Sequence, residues 1–124
     1  MPSSSPDPDY ILFHNPACST SRNVLAMVRE HGIEPTIVEY LKTPPGKERL
    51  RELVAALGGS VRGLLRTKAA PYEELGLADP KWTDEQLLAF MVQHPVLMER
   101  PVLVSPRGTR LGRPKEAVLD LLPS

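Results

Sequence analysis

The sequence predicts an α/β fold built on a mixed β-sheet, and three observations carry that expectation. The apolar run Tyr10-Ile11-Leu12-Phe13 leads through a polar turn into Asn23-Val24-Leu25-Ala26-Met27-Val28, which reads as a helix. The short β-branched run Thr36-Ile37-Val38-Glu39-Tyr40 comes next, so the chain opens β–α–β with a parallel strand pair. After a long stretch that patterns only as helix, strands return at Pro101-Val102-Leu103-Val104 and Thr109-Arg110-Leu111, which can pair antiparallel across a short turn.

Along the chain, residues 1–9 carry Pro, Ser and Asp and read as a disordered tail. The first helix stops at His31-Gly32, where glycine suits the C-cap. Thr43-Pro44-Pro45-Gly46 is a break, with Thr43 a candidate N-cap. Leu50, Leu53, Val54 and Leu57 recur at i, i+3, i+4 and i+7, the buried stripe of an amphipathic helix that Gly58-Gly59 ends. Ser60 can cap a short helix over 61–65, and Pro71-Tyr72-Glu73-Glu74-Leu75 suggests another, ended by Gly76. Thr83-Asp84-Glu85-Gln86 has capping-box spacing ahead of a helix bearing Leu87, Leu88 and Met91. Trp82 and Phe90 are the expected anchors of this block. Ser105-Pro106-Arg107-Gly108 reads as a β-turn, and Arg113-Pro114 opens a last helix with Val118, Leu121 and Leu122 on one face. With the helical block at about 47–95 set aside, the order is βαβ-ββα, which is the thioredoxin order. The expectation is therefore one thioredoxin-like domain over 10–124, with a helical insertion between its halves.

Composition excludes several classes of function. Fifteen basic residues balance fifteen acidic ones, so there is no electrostatic footprint for nucleic acid. No apolar run approaches the roughly 20 residues of a membrane helix, and no secretory signal is visible. The chain has one cysteine, which rules out an internal disulfide and points to the reducing cytosol. One cysteine and three scattered histidines do not make a structural metal site.

That cysteine is the centre of the chemistry. Cys18 lies in His14-Asn15-Pro16-Ala17-Cys18-Ser19-Thr20-Ser21-Arg22, where a strand hands over to a helix. Unpaired amides and the dipole at a helix N-terminus favour thiolate over thiol and also attract oxyanions. Free cysteines are commonly buried small hydrophobes, but the polar flanks of Cys18 favour a reactive thiol. Ser21 stands Cys-x-x-Ser, where a hydroxyl can donate to the sulfur; read alone it is a helix cap. His14, if protonated beside the sulfur, would depress the thiol further; read alone it is a solvated strand-end histidine. His31 and His94 sit at helix ends and suit contacts with terminal carbonyls. Arg66, Arg100 and Arg113 lie in separate segments, and each read singly is a surface charge. Together they would suit a tetrahedral oxyanion, because a guanidinium fork matches two oxygens. Arg22 is the nearest local cation but also fits a helix surface; Arg62, Arg107 and Arg110 read as surface.

The motif from His14 to Asn23 resembles the active site of the glutaredoxin-coupled arsenate reductases. The similarity continues through Tyr40-Leu41-Lys42-Thr43-Pro44-Pro45, Val61-Arg62-Gly63-Leu64-Leu65-Arg66 and Gln93-His94-Pro95-Val96-Leu97. It closes with Glu99-Arg100-Pro101-Val102-Leu103-Val104 and Gly108-Thr109-Arg110-Leu111-Gly112-Arg113-Pro114. The resemblance implies a thioredoxin-like fold with a helical insertion and a cis-proline after Arg100. It implies Cys18 as nucleophile on arsenate, His14 and Ser21 favouring its thiolate, and Arg66, Arg100 and Arg113 binding the oxyanion. It further implies glutathione as co-substrate, glutaredoxin as partner and no tightly bound cofactor. Two other readings of the scaffold are a thiol-based redox regulator that binds RNA polymerase and a glutathione-dependent thiol oxidoreductase. The regulators carry Cys-x-x-Cys, which Cys18-Ser19-Thr20-Ser21 lacks, and the oxidoreductase would leave the arginines surplus.

Overall fold

The first apolar run forms strand β1 (Asp7–His14), which starts ahead of the expected Tyr10. Residues 7–9, expected in the tail, are extended: the Asp7 amide donates to the Glu34 carbonyl at 2.7 Å, and Asp7 pairs with Pro35. Backbone groups gain ladder bonds whatever their side chains, which is why polar residues could extend the strand. The rest of the expected tail, residues 1–6, lies outside the residues described by this computed structural model, 7–122.

The described chain divides into two compact units. One is the chain up to Tyr40 together with the chain from Arg100 onward; the other is Leu41–Glu99. The first unit is organised on a four-stranded sheet. Strand β2 (Pro35–Glu39) runs parallel to β1, and β3 (Val102–Ser105) runs antiparallel to it. Strand β4 (Gly108–Leu111) returns from β3 across a hairpin, giving the order β2-β1-β3-β4. Helix α1 (Ser19–Glu30) connects β1 to β2 and starts at Ser19, one turn before Asn23. It ends at His31 and at Gly32, whose φ of 82° is the left-handed conformation that glycine adopts without cost. The His31 Nδ1 lies 2.8 Å from the Met27 carbonyl oxygen at that end.

The core of this unit joins the facing pair Leu12 and Leu103 to Val24 and Val28 of α1 and to Val118, Leu121 and Leu122. Burying each such aliphatic side chain contributes about 1.5–3 kcal/mol. The last helix, Lys115–Leu121, is a 3₁₀ helix, closed by bonds such as Ala117 N–H to the Pro114 carbonyl. Its buried residues suit either helix type, so the apolar pattern could not separate the two. Gly112 lies where β4 ends, and a Cβ there would come within 2.8 Å of both Pro101 Cγ and Val24 Cγ2. The absent side chain lets this stretch pack against α1 and against the Arg100–Pro101 junction. The Arg100–Pro101 and Arg113–Pro114 peptide bonds are both cis.

The second unit is helical, apart from one antiparallel bridge between Leu65 and Met98. Helix α2 (Lys47–Ala56) is capped by Gly46, not by Thr43. Residues that precede proline disfavour helical backbone, and both Thr43 and Pro44 do so, which delays the start past Pro45. Ser60 caps a 3₁₀ turn, Val61–Leu64, and α3 (Ala70–Glu74) carries Pro71 in its first turn. Helix α4 (Asp84–Gln93) opens on the expected capping box: Gln86 N–H donates to Thr83 Oγ1 at 3.2 Å, and Thr83 N–H donates to Gln86 Oε1 at 2.8 Å. Leu50, Leu53 and Val54 of α2 and Leu87, Leu88 and Met91 of α4 are buried. Lys47 and Arg51 of α2 both reach Glu85 of α4, at 2.9 and 2.6 Å. Trp82 meets Phe90 edge to face at 5.0 Å and donates Nε1–H to the Gly76 carbonyl. Arg62, read as surface, instead donates to the carbonyls of Leu77 and Asp79. No helix among the described residues is long and apolar enough to cross a membrane.

Candidate active site

Cys18 is both buried and at the N-terminus of a helix: it is the extended N-cap of α1 (φ −93°, ψ 122°). The turn before it is closed by its own backbone. The Cys18 amide donates to the Asn15 carbonyl at 3.0 Å, and the Ala17 amide donates to Asn15 Oδ1 at 3.0 Å. The Cys18 carbonyl accepts the Arg22 amide, the first bond of the helix, at 3.0 Å. No side-chain hydrogen bond caps α1, yet the amides of its first turn favour a negative sulfur.

The thiol is held below its ordinary value against its surroundings. Burial pushes it up, the largest single effect. The Ser21 amide, the Arg100 guanidinium, the Thr20 amide and the Arg113 guanidinium push it down and together prevail. Arg113 places Nη2 3.6 Å from Cys18 Sγ and donates Nε–H to the Arg100 carbonyl at 2.7 Å. Arg100 is itself buried. A thiolate-favouring sulfur, two guanidinium groups and the N-terminus of α1 therefore share one corner of the sheet. Such a corner can present a nucleophile to an anion while neutralising the anion's charge.

His14 differs from expectation. It is buried, and its Nδ1 lies 2.5 Å from Ser21 Oγ. Burial lowers its basicity; Glu39 opposes this, while Arg29 and Arg22 reinforce it, and the net direction is downward. Burial thus disfavours the protonated imidazole, and the cations acting on Cys18 are Arg100 and Arg113. The Ser21 hydroxyl is engaged by His14 and by the Asn15 amide at 3.1 Å. It is the backbone amide of Ser21 that favours the thiolate. Arg66 belongs to the second unit, where its amide donates to the Leu97 carbonyl at 2.7 Å. Its part in the site remains an implication of the resemblance.

Two residues of this corner carry contacts that the sequence reading did not assign. Asn15 bonds through its carbonyl, its side chain and its amide; the Asn-Pro dipeptide carried that turn signal. Arg22 donates Nη1–H to the Pro16 carbonyl at 2.8 Å, a contact no pattern announced. Among the described residues, no group of three or more His, Cys, Asp or Glu could hold a metal ion.

Comparison with known proteins places this corner in context. The chain is 58% identical over 112 residues to an arsenate reductase from Escherichia coli, covering 90% of this chain and 79% of that one. It is 57% identical over 112 residues to an arsenate reductase from Rhizobium meliloti, covering 90% and 80%. The solved structure of an arsenate reductase from Vibrio cholerae superposes with a TM-score of 0.88 at 43% identity, covering 91% of this chain and 97% of that one. The mixed four-stranded sheet with its helices is thus the thioredoxin-like α/β fold. Residues 13–121 match the ArsC family, and the chain belongs to that family.

Proposed function

We propose that this chain is an arsenate reductase that uses Cys18 as nucleophile, glutathione as co-substrate and glutaredoxin as partner, in the cytosol. The observation that carries the reading is the Arg113 guanidinium lying 3.6 Å from a sulfur that already favours the thiolate. The named activity of the relatives in the ArsC family supports the choice of oxyanion.

On this reading the Cys18 thiolate attacks arsenic, and Arg100 and Arg113 neutralise the charge on its oxygens. The resemblance adds Arg66 as a third donor. Water leaves, and a sulfur–arsenic bond remains. A glutathione thiolate then forms a disulfide with Cys18; the two sulfurs give up two electrons, As(V) becomes As(III), and arsenite departs. Glutaredoxin removes glutathione and returns the thiol. His14 enters through its hydrogen bond with Ser21, which holds the first turn of α1 beside Cys18. No tightly bound cofactor takes part.

The test is a coupled assay with arsenate, glutathione, glutaredoxin and glutathione reductase, following NADPH oxidation. Turnover is expected with the reduced protein and is abolished by Cys18→Ser, because a hydroxyl is a far weaker nucleophile near neutral pH. A folded, reduced protein that oxidises no NADPH overturns the substrate. Arsenite production by Cys18→Ser overturns the mechanism.

A further inference from the structure

Arg22 is a cation in the wrong place for its helix. It sits in the first turn of α1, where the macrodipole favours acids, and that turn contains none. The dipole disfavours a positive charge there before any contact is counted. The structure shows what offsets it. The Arg22 backbone amide bonds to the carbonyl of Cys18 at 3.0 Å, and its guanidinium reaches back to the carbonyl of Pro16 at 2.8 Å. One residue therefore holds the chain on both sides of the cysteine. The second bond is charge-assisted and closes a loop that the Asn15 contacts close only as far as Cys18.

We propose that Arg22 is a positioning residue, bracing the turn 15–18 through the Pro16 carbonyl and so keeping the Cys18 sulfur at the N-terminus of α1. The amides of Ser21 and Thr20 favour the thiolate only while the sulfur stays at that position. The charges that act on the thiol are those of Arg100 and Arg113, so Arg22 works through geometry. The inference deepens the reading of Cys18 as nucleophile and rests on it.

Three variants separate bracing from charge. Arg22→Gln keeps a donor for Pro16 and loses the charge; Arg22→Lys keeps both; Arg22→Ala keeps neither. Each is read by the pH profile of Cys18 alkylation with iodoacetamide, by kcat and KM in the arsenate assay, and by circular dichroism. For Arg22→Ala the alkylation midpoint moves upward, and kcat/KM falls on the order of tenfold, mainly in kcat. Arg22→Gln and Arg22→Lys both recover part of the loss. If Arg22→Lys recovers and Arg22→Gln matches Arg22→Ala, charge is the agent and the brace is overturned. A rise in KM with an unmoved alkylation profile makes Arg22 a substrate ligand and also overturns it, as does a folded Arg22→Ala with unchanged values. Alkylation needs no arsenate, so an inactive wild-type protein would refute the substrate while leaving the brace open to measurement.

Discussion

The Cys18 sulfur lies under two opposing influences, and their balance can be measured. Burial alone would keep it a thiol; amides and guanidinium groups make it a thiolate at lower pH. Replacing Arg113 with Ala removes one close cation, and the midpoint of iodoacetamide alkylation is expected to rise. An unmoved midpoint would mean that the guanidinium 3.6 Å away does not act on the sulfur. His14 gives a second titration, of folding itself. Its folded value lies below the ordinary imidazole value of about 6.5, so the unfolded chain takes up its proton first as pH falls. The stability linked to His14 is therefore fully present above that value and is lost as pH falls toward the folded one. Urea unfolding between about pH 7.5 and 5.5 should show this decline, and His14→Gln should flatten it. The polar flanks of Cys18 made its place legible, on the strand-to-helix turn where it is the N-cap of α1, but not its burial. The sequence left the charge of His14 illegible, since that depends on burial beside β2 and on cations at Arg29 and Arg22, which spacing does not encode.

Elements were legible where their punctuation was local. The Thr83–Gln86 capping box forms with both of its bonds because its donors and acceptors lie within four residues. Thr83→Ala is expected to lower the stability of α4 by about 1 kcal/mol, read as a lower urea midpoint with an unchanged slope. A changed slope would mean that the cap affects more than its own helix. Starts without such signals were displaced. Helix α1 begins at Ser19 because Ser19, Thr20 and Ser21 read as turn formers and equally suit a first helical turn. Strand β1 begins at Asp7 through the bond of its amide to the Glu34 carbonyl and that of the Thr36 hydroxyl to the Asp7 carbonyl, contacts from residues too distant for a local pattern to show. Gly112 shows the opposite limit. Its place in the sequence is unremarkable, yet a Cβ there would meet both Val24 of α1 and Pro101, a constraint visible only once β4 and α1 are brought together.

At the scale of the whole molecule, the order βαβ-ββα and the strand-poor middle were legible, because each rests on patterns within single segments. The meeting of Arg113 with Cys18 was not, because 95 residues separate them and no local rule spans that distance. The cysteine count, by contrast, is a property of the entire chain and constrains the proposed reaction directly. Taking As(V) to As(III) needs two electrons, and two thiols supply them by joining as a disulfide. This chain holds one thiol. On the proposed reading it would bind arsenate and form the sulfur–arsenic bond, but one thiol could not complete the reduction alone. With arsenate and no added thiol, no arsenite should form. With glutathione but no glutaredoxin, each chain should release at most about one arsenite and retain one glutathione on Cys18, visible by intact mass. Added glutaredoxin should remove that adduct and allow many turnovers. Arsenite released in the absence of any added thiol would mean that electrons come from elsewhere, and the Cys18 route would fall.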